Sequence, residues 1–207
     1  MLDRAAQALI APALGRAAGT LARWGVAADA ITLVGGVLGL VGAGWIVAGH
    51  PLIGLVWLLA SRLADGLDGA VARLTQPTDR GAFLDITLDF GFYASVPLAF
   101  ALADPPANAL AAAVLLAAFV GTASSFLAFA VLAERRGLRS LAYPHKGLYY
   151  LGGLTEATET LACFAAMCCW PEFFAPLALG FAALCGLTWL ARLHAGWSAF
   201  GGQRGQA

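Results

Sequence analysis

Six apolar stretches alternate with short polar breaks along the chain, at residues 30–48, 51–74, 81–102, 107–132, 148–170 and 173–193. A helix of about 20 apolar residues crosses the hydrocarbon core of a bilayer. Most of the stretches reach that length, although the second and third do so only with their aspartates included. The pattern predicts an all-α protein with six transmembrane helices.

Residues 1–24 follow a different pattern, in which apolar residues recur at helical spacing and arginines occupy the other faces. This pattern predicts an amphipathic helix that lies in the membrane interface and bends at Pro12. Asp3 and Arg4 do not form the basic leader of a secretory signal, so we expect no cleaved segment. We expect a single domain over 1–207, with the interfacial helix at 1–24 and the six-helix bundle at 25–200.

Composition supports a membrane environment. Hydrophobic residues make up 60% of the chain and charged residues only 12%, against roughly 25% charged in a soluble domain. The net charge of zero provides no field that would attract nucleic acid, so no nucleic-acid partner is expected. The four cysteines lie in apolar stretches without metal-ligand spacing, which predicts small buried side chains.

Lysine and arginine are confined to alternate ends of the predicted helices. They cluster at both termini and around the second and fourth connections, whereas the first, third and fifth connections hold none. The positive-inside rule therefore places both termini and the even-numbered connections in the cytoplasm. We expect an integral protein of the bacterial inner membrane.

Four aspartates surround the second connection. Asp65 and Asp68 are three residues apart, and Asp85 and Asp89 are four apart, so each pair lies on one face of its helix. A short turn containing Pro77 predicts that the two helices are antiparallel neighbours. The four carboxylates would then converge near the cytoplasmic membrane surface.

A cluster of four anions needs compensating charge. Each charge costs roughly 2.5–3.5 kcal/mol at the centre of a membrane helix, and hard divalent cations prefer oxygen ligands. Gly69 and Ala72 leave space beside the carboxylates for a nucleotide or a metal-bound pyrophosphate, and Arg73 can meet phosphate charge. The alternative is that the aspartates only cap helix ends. Four of them in helical register, with small residues between, favour a metal site.

The stretch from Asp65 to Asp89 resembles the signature of the CDP-alcohol phosphatidyltransferases, D-x-x-D-G-x-x-A-R followed by G-x-x-x-D-x-x-x-D, with every fixed position present. The spacer 74–80 has seven residues where that family usually has eight, so we expect a tighter turn and unchanged chemistry. Family members often carry Pro-Asn-x-x-Thr at the start of the first span. Only Thr32 matches fully here, and we assign it to the nucleotide side.

The resemblance implies that a phosphatidyl group passes from a CDP-alcohol, foremost CDP-diacylglycerol, to a hydroxyl acceptor with release of CMP. It implies one or two Mg²⁺ or Mn²⁺ ions and, in many family members, a homodimer. Asp89 would also take the proton from the acceptor hydroxyl. The implied metal ligands are Asp65, Asp68, Asp85 and Asp89, and the implied CDP-binding residues are Asp65, Gly69, Ala72, Arg73, Gly81 and Thr32.

The fourth connection is the first candidate for the acceptor side. Its basic residues either anchor the chain to anionic lipid or form a phosphate pocket for an acceptor such as glycerol 3-phosphate. These residues are Arg135, Arg136, Arg139 and Lys146.

Glu156 and Glu159 are the second candidate, because they share a helix face within the fifth stretch. Acids at such depth usually face a bundle interior or a cavity. They either bind acceptor hydroxyls or an amine, or pair with Arg62 or Arg192 in a purely structural role.

Within this resemblance, we expect foremost a reaction like that of phosphatidylglycerophosphate synthase, in phospholipid biosynthesis. Two alternatives stay open: a CDP-choline or CDP-ethanolamine type transferase with a lipid acceptor, and a metal- or proton-coupled transporter. Transporters place their sites near the bilayer midplane, often in paired repeats. Here the aspartates lie near one end of their helices, and no second half repeats them.

Overall fold

The computed structural model describes the backbone of residues 2–137 and 155–201, and side chains from residue 10 onward. These residues form α-helices and one 3-10 turn, and they include no strand. The helices are α1 Leu2–Arg23, α2 Ala28–Val47, α3 Pro51–Leu74, α4 Asp79–Ala103, α5 Pro105–Arg135, α6 Ala157–Cys169 and α7 Phe174–Phe200.

Four of the described helical segments are long and apolar enough to cross a membrane: α2, α4, α5, and α7 together with the 3-10 turn before it. Large apolar side chains on them face outward, among them Leu40 at 65% exposure and Leu110 at 79%. α3 is equally long but carries Arg62, Asp65 and Asp68 within its length. Residues 148–154 of the predicted fifth span lie outside the described part, so the number of six spans stays a prediction.

Helix α1 covers the predicted amphipathic segment and runs on through Pro12. It packs against α3: Ala18 is fully buried, and Leu14 lies 3.1 Å from the position of a Cβ on Gly66. Arg16 and Arg23 are exposed. Part of the described apolar face, at Leu14 and Ala18, is therefore used within the protein, and a position in the membrane interface stays a prediction.

Helix α2 packs closely against both α3 and α4 through its glycines. A Cβ on Gly54 of α3 would lie 2.7 Å from the Gly42 carbonyl oxygen, so the two backbones touch where the helices cross. A Cβ on Gly39 would lie 2.9 Å from the Phe92 ring of α4. Small residues allow this approach in membrane helices. α3 and α4 are thus positioned by α2 and meet each other through longer side chains.

The predicted second connection is short: residues 75–78 join α3 to α4. Thr78 caps α4, since its hydroxyl oxygen accepts a hydrogen bond of 3.0 Å from the Gly81 backbone N–H. The chain reverses within this connection, which sets the ends of both helices at the same end of the bundle.

The larger apolar core of the described residues is built by α4, α5, α6 and α7, and Ala43 and Ile46 of α2 and Leu58 of α3 extend it. Phe100 and Phe174 stack there with ring centroids 4.5 Å apart. Cys168 and Cys185 are buried as predicted, and Cys163 is partly buried. The prediction is wrong for Cys169, which is exposed because α6 ends there and turns its last residue away from the core.

We predict that Gly54→Ala destabilises the protein, because the added Cβ would press on the backbone of α2. Overpacking of this kind costs about 1–3 kcal/mol. Thermal unfolding in detergent measures the loss as a lower Tm. Gly44→Ala is the matched control, since its Cβ would have no neighbour within 4 Å. Equal Tm values for the two variants would contradict the close crossing of α2 and α3.

Candidate active site

The four predicted aspartates lie at one end of the bundle, on the last turns of α3 and the first turns of α4. Asp65, Asp68 and Asp85 each offer a carboxylate oxygen, and these three atoms all lie within 4.8 Å of one another. We call these three residues the aspartate triad. Among the described residues, they form a group that could hold a metal ion.

The burial and hydrogen bonding of Asp68 indicate whether a cation fits the triad. Its side chain is only 5% exposed, and its Oδ2 is buried without a hydrogen-bond donor from the described residues. A buried polar atom in that state is costly. A divalent cation satisfies carboxylate oxygens directly, so the donor set and the unsatisfied oxygen both fit such an ion.

Thr32 of α2, predicted for the nucleotide side, is buried beside the triad. Its hydroxyl donates to the Ala28 carbonyl oxygen at 3.0 Å and lies near enough to the Asp68 carboxyl group to interact with it. α2 thereby contributes a polar group to a site that is otherwise built from α3 and α4.

Four further predicted CDP-binding residues lie near the triad: Gly69, Ala72 and Arg73 follow Asp68 on α3, and Gly81 lies in the first turn of α4. A Cβ on Gly69 would lie 3.4 Å from the Arg73 Nη1, so the exposed guanidinium rests beside bare backbone, and Ala72 is partly exposed next to it. A Cβ on Gly81 would lie 3.0 Å from Asp29 Oδ1. Gly81 thus allows the start of α4 to approach α2.

The arginine at position 62 is a site residue whose role the sequence did not reveal. Its Nη1 lies 2.5 Å from Asp89 Oδ1 and 3.7 Å from Asp65 Oδ1. Its Cζ lies 3.8 Å from the centre of the Phe92 ring. The i, i+3 spacing from Arg62 to Asp65 was the available signal, whereas the contact with Asp89 spans 27 residues and needs the fold.

A cavity of about 190 Å³ lies between α4, α5, α6 and α7. Aromatic rings form part of its wall, and three threonines, a glutamate and an arginine provide polar groups. Tyr93 lies one turn beyond Asp89 on α4, and its ring centre is 5.9 Å from the Arg62 Cζ. The cavity therefore adjoins the aspartates. The lining includes the aromatic residues Tyr93, Phe119 and Phe126 and the polar residues Thr122, Thr155, Thr160, Glu156 and Arg192.

The family model of the CDP-alcohol phosphatidyltransferases matches residues 25–197 of the chain. The chain belongs to this family. It is an enzyme of the CDP-alcohol phosphatidyltransferase class, and the transporter alternative is set aside.

Similar proteins agree with this assignment. The transferase is 48% identical over 197 residues to "Inner membrane protein YnjF" of Escherichia coli (strain K12), and the match spans 95% of this chain and 96% of that protein. Four long apolar helices together with this relative identify an integral membrane protein. The side of the membrane that holds the aspartates stays a prediction.

Solved structures of phosphatidylinositol phosphate synthase (PgsA1) from Mycobacterium tuberculosis share the fold. The structure with CDP-DAG bound gives a TM-score of 0.74 at 23% identity, over 94% of this chain and 98% of that chain. The structure in complex with manganese and citrate gives 0.72 at 24% identity, over 93% of each chain. At this level of identity the likeness establishes the fold alone.

The two glutamates predicted for the acceptor side begin helix α6 of the transferase. Glu156 is its N-cap, and its backbone N–H donates to Glu159 Oε2 at 3.2 Å in a reciprocal capping box. Glu156 is buried and lines the cavity. Glu159 therefore has a local structural partner, while Glu156 faces the space where a small molecule fits.

The predicted basic residues are only partly described. Arg136 donates from its two Nη atoms to the carbonyl oxygens of Ala199 and Phe200, at 3.2 Å each. Arg135 is exposed at the end of α5. Arg139 and Lys146 lie outside the described residues. Arg136 thus fastens α5 to the end of α7.

We predict that Mn²⁺ raises the Tm of the wild-type transferase in detergent and that Asp68→Asn removes most of this increase. Saturation at 100 times Kd adds roughly 2.7 kcal/mol, which corresponds to about 5–10 °C for a chain of this size. The Asn variant keeps the shape of the side chain but loses the anionic ligand.

Asp79→Asn is the control for that experiment. Asp79 is exposed in the first turn of α4 and does not belong to the triad. We expect the Mn²⁺ effect to persist in this variant. An equal Mn²⁺ effect in Asp68→Asn would contradict a metal site at the triad.

Proposed function

We propose that this transferase moves the phosphatidyl group of CDP-diacylglycerol to the hydroxyl of a small water-soluble acceptor and releases CMP. The observation that carries the proposal is the aspartate triad with its unsatisfied Asp68 oxygen, next to a cavity large enough for a small alcohol. A related fold has been solved with CDP-DAG and with manganese, which supports this donor and this class of ion.

We assign the triad, together with Asp89, to one or two Mg²⁺ or Mn²⁺ ions. A divalent ion at this position would neutralise charge on the diphosphate and on the departing CMP. Thr32, Gly69, Ala72 and Gly81 would border the CDP group, and Arg73 would meet its phosphate charge from the water-exposed side.

Asp89 is proposed as the general base. The acceptor oxygen forms a bond to the β-phosphorus, and the bond from that phosphorus to the oxygen shared with CMP breaks. The acceptor proton passes to the Asp89 carboxylate, and CMP leaves with the bonding electrons. Asp89 is suited to this role by its position between the triad and the cavity wall at Tyr93.

The cavity is proposed as the acceptor site. Thr122, Thr155 and Thr160 offer hydroxyl groups, and Glu156 and Arg192 add one charge of each sign to the lining. Glu159 supports Glu156 through the capping box. Glycerol 3-phosphate is the first acceptor to test, with Arg135, Arg139 and Lys146 providing positive charge in the fourth connection. A cytoplasmic site and a homodimer are part of the same proposal.

We predict that Asp89→Asn abolishes turnover while CDP-diacylglycerol binding is largely retained. The amide cannot accept the acceptor proton, but it occupies the same space. The measurement is CMP release from CDP-diacylglycerol in detergent, with nucleotide-lipid binding followed separately. Wild-type CMP release should stop in EDTA and return with Mn²⁺ or Mg²⁺. Full activity of Asp89→Asn would refute the assignment of the base.

We predict that an acceptor screen with labelled CDP-diacylglycerol yields a phospholipid only with acceptors that fit the cavity, glycerol 3-phosphate first. Mass spectrometry identifies the product. Thr122→Val replaces one hydroxyl group of the lining by a methyl group without changing charge. This variant should have a higher KM for the acceptor and an unchanged KM for CDP-diacylglycerol. A product formed only when diacylglycerol accepts from CDP-choline or CDP-ethanolamine would overturn the choice of donor and support the alternative class.

A further inference from the structure

An ion pair between Asp29 and Arg80 joins the start of α2 to the start of α4. The Arg80 Nε and Nη2 atoms lie 2.7 Å and 2.6 Å from the same carboxylate oxygen, Asp29 Oδ2. The other oxygen, Oδ1, lies 3.0 Å from the position of a Cβ on Gly81, so the carboxylate rests against bare backbone of α4. Two departures from the family pattern meet in this contact. Asp29 stands where the family often has asparagine, and Arg80 ends the spacer that is one residue short.

The pair lies about one helical turn from the aspartate triad, towards the end of the bundle. Asp29 precedes Thr32 by three residues on α2, and Thr32 lies beside Asp68. Gly81 precedes Asp85 by four residues on α4. Residues three or four apart share a helix face. The pair therefore borders the site on the side where the CDP group is proposed to bind.

The contact between Asp29 and Arg80 is of a kind that exchanges readily in water. The Arg80 side chain is 78% exposed, against 19% for Asp29, and exposed ion pairs are weak. Both nitrogens share one oxygen of Asp29, whereas the strong fork arrangement of a guanidinium makes two parallel bonds to two oxygens. A phosphate group offers such oxygens, and a guanidinium matches its geometry. A phosphate can therefore compete with Asp29 for Arg80.

We propose that Asp29 and Arg80 form an exchange pair, in which Asp29 holds Arg80 until the donor binds and Arg80 then turns to a phosphate of the CDP group. This inference rests on the proposed function. It gives the two partners opposite effects, because Arg80 attracts the donor while Asp29 competes with the donor for Arg80. A pair that only fastened α2 to α4 would give both partners effects in the same direction.

Asp29→Asn, Arg80→Gln and the double variant test the exchange pair in the full-length chain in detergent. Isothermal titration calorimetry with CDP in the presence of Mn²⁺ gives Kd. CMP release from CDP-diacylglycerol gives kcat and KM. Thermal unfolding shows whether each variant folds.

Asp29→Asn should bind CDP about two- to fivefold more tightly, because Arg80 no longer has to leave a carboxylate. Arg80→Gln should bind CDP about tenfold more weakly, since a charge-assisted contact with phosphate is lost. In the Asp29→Asn background, Arg80→Gln should again weaken binding by about tenfold. The KM for CDP-diacylglycerol should change in the same directions, with kcat within about twofold of the wild type.

Asp79→Asn and Arg23→Gln are the matched controls. Each removes one exposed charge at the same end of the bundle, the first at the start of α4 and the second at the end of α1. We expect the Kd for CDP to stay within about twofold of the wild type in both, because exposed charges away from the ligand are screened by salt. Should Arg80→Gln fail to fold, Arg80→Lys replaces it. Lysine keeps the charge but lacks the fork, so weaker CDP binding is expected again.

Three results would overturn the proposal: weaker or unchanged CDP binding in Asp29→Asn, unchanged CDP binding in Arg80→Gln, or a wild-type chain that binds no CDP. Equal tightening in Asp79→Asn and Asp29→Asn would also overturn it, since any loss of negative charge would then act alike. Failure of the proposed function is distinguishable from these results. A wild-type chain that binds CDP but releases no CMP from CDP-diacylglycerol contradicts the proposed reaction, whereas the comparison of CDP binding needs no turnover.

Discussion

Repulsion between four carboxylates gathered at one end of an apolar helix bundle is the constraint on which the rest of this structure depends. Asp65, Asp68 and Asp85 lie close enough together to share a cation, and Asp89 is compensated by Arg62. Water-exposed aspartates would separate at little cost, but Asp68 is buried and stays where the helices place it. The fold therefore holds the carboxylates together despite their mutual repulsion, which is typical of functional sites.

The packing of α2 against α3 and α4 keeps the aspartate cluster together. Its glycines bring it into backbone contact with α3 and ring contact with α4, at Gly54 and Phe92 respectively. Because one helix sets the position of both acidic helices, their spacing does not depend on the short connection at 75–78. The same helix carries Thr32 to the triad and offers the Gly35 carbonyl oxygen to Ser61. Packing and polar chemistry are thus combined in one helix.

The sequence was sufficient for the parts of the site that follow from local geometry. Helical spacing predicted that Asp65 and Asp68 share a face, and the motif identified the family, which the family model confirms. The partner of Asp89 could not be found in this way, because Arg62 reaches it across 27 positions. The capping of α6 by Glu156 and Glu159 was also missed, since glutamate is an uncommon N-cap residue. Hydrophobic runs predicted the positions of the long helices, and four of them qualify as spans within the described residues.

Outward-facing apolar side chains flank the aspartates along α3, with Leu63 before Asp65 and Leu74 after Asp68. The proposed diacyl donor can therefore present its headgroup to the carboxylates while its tails remain in the hydrocarbon of the bilayer. Moving tails into water would cost about 0.8 kcal/mol for every methylene, more than the binding energy of a small site can offset over two long chains. At this depth the proposed lipid donor would arrive and depart by lateral diffusion within one leaflet, and only the nucleotide and the proposed small alcohol would exchange with the aqueous phase.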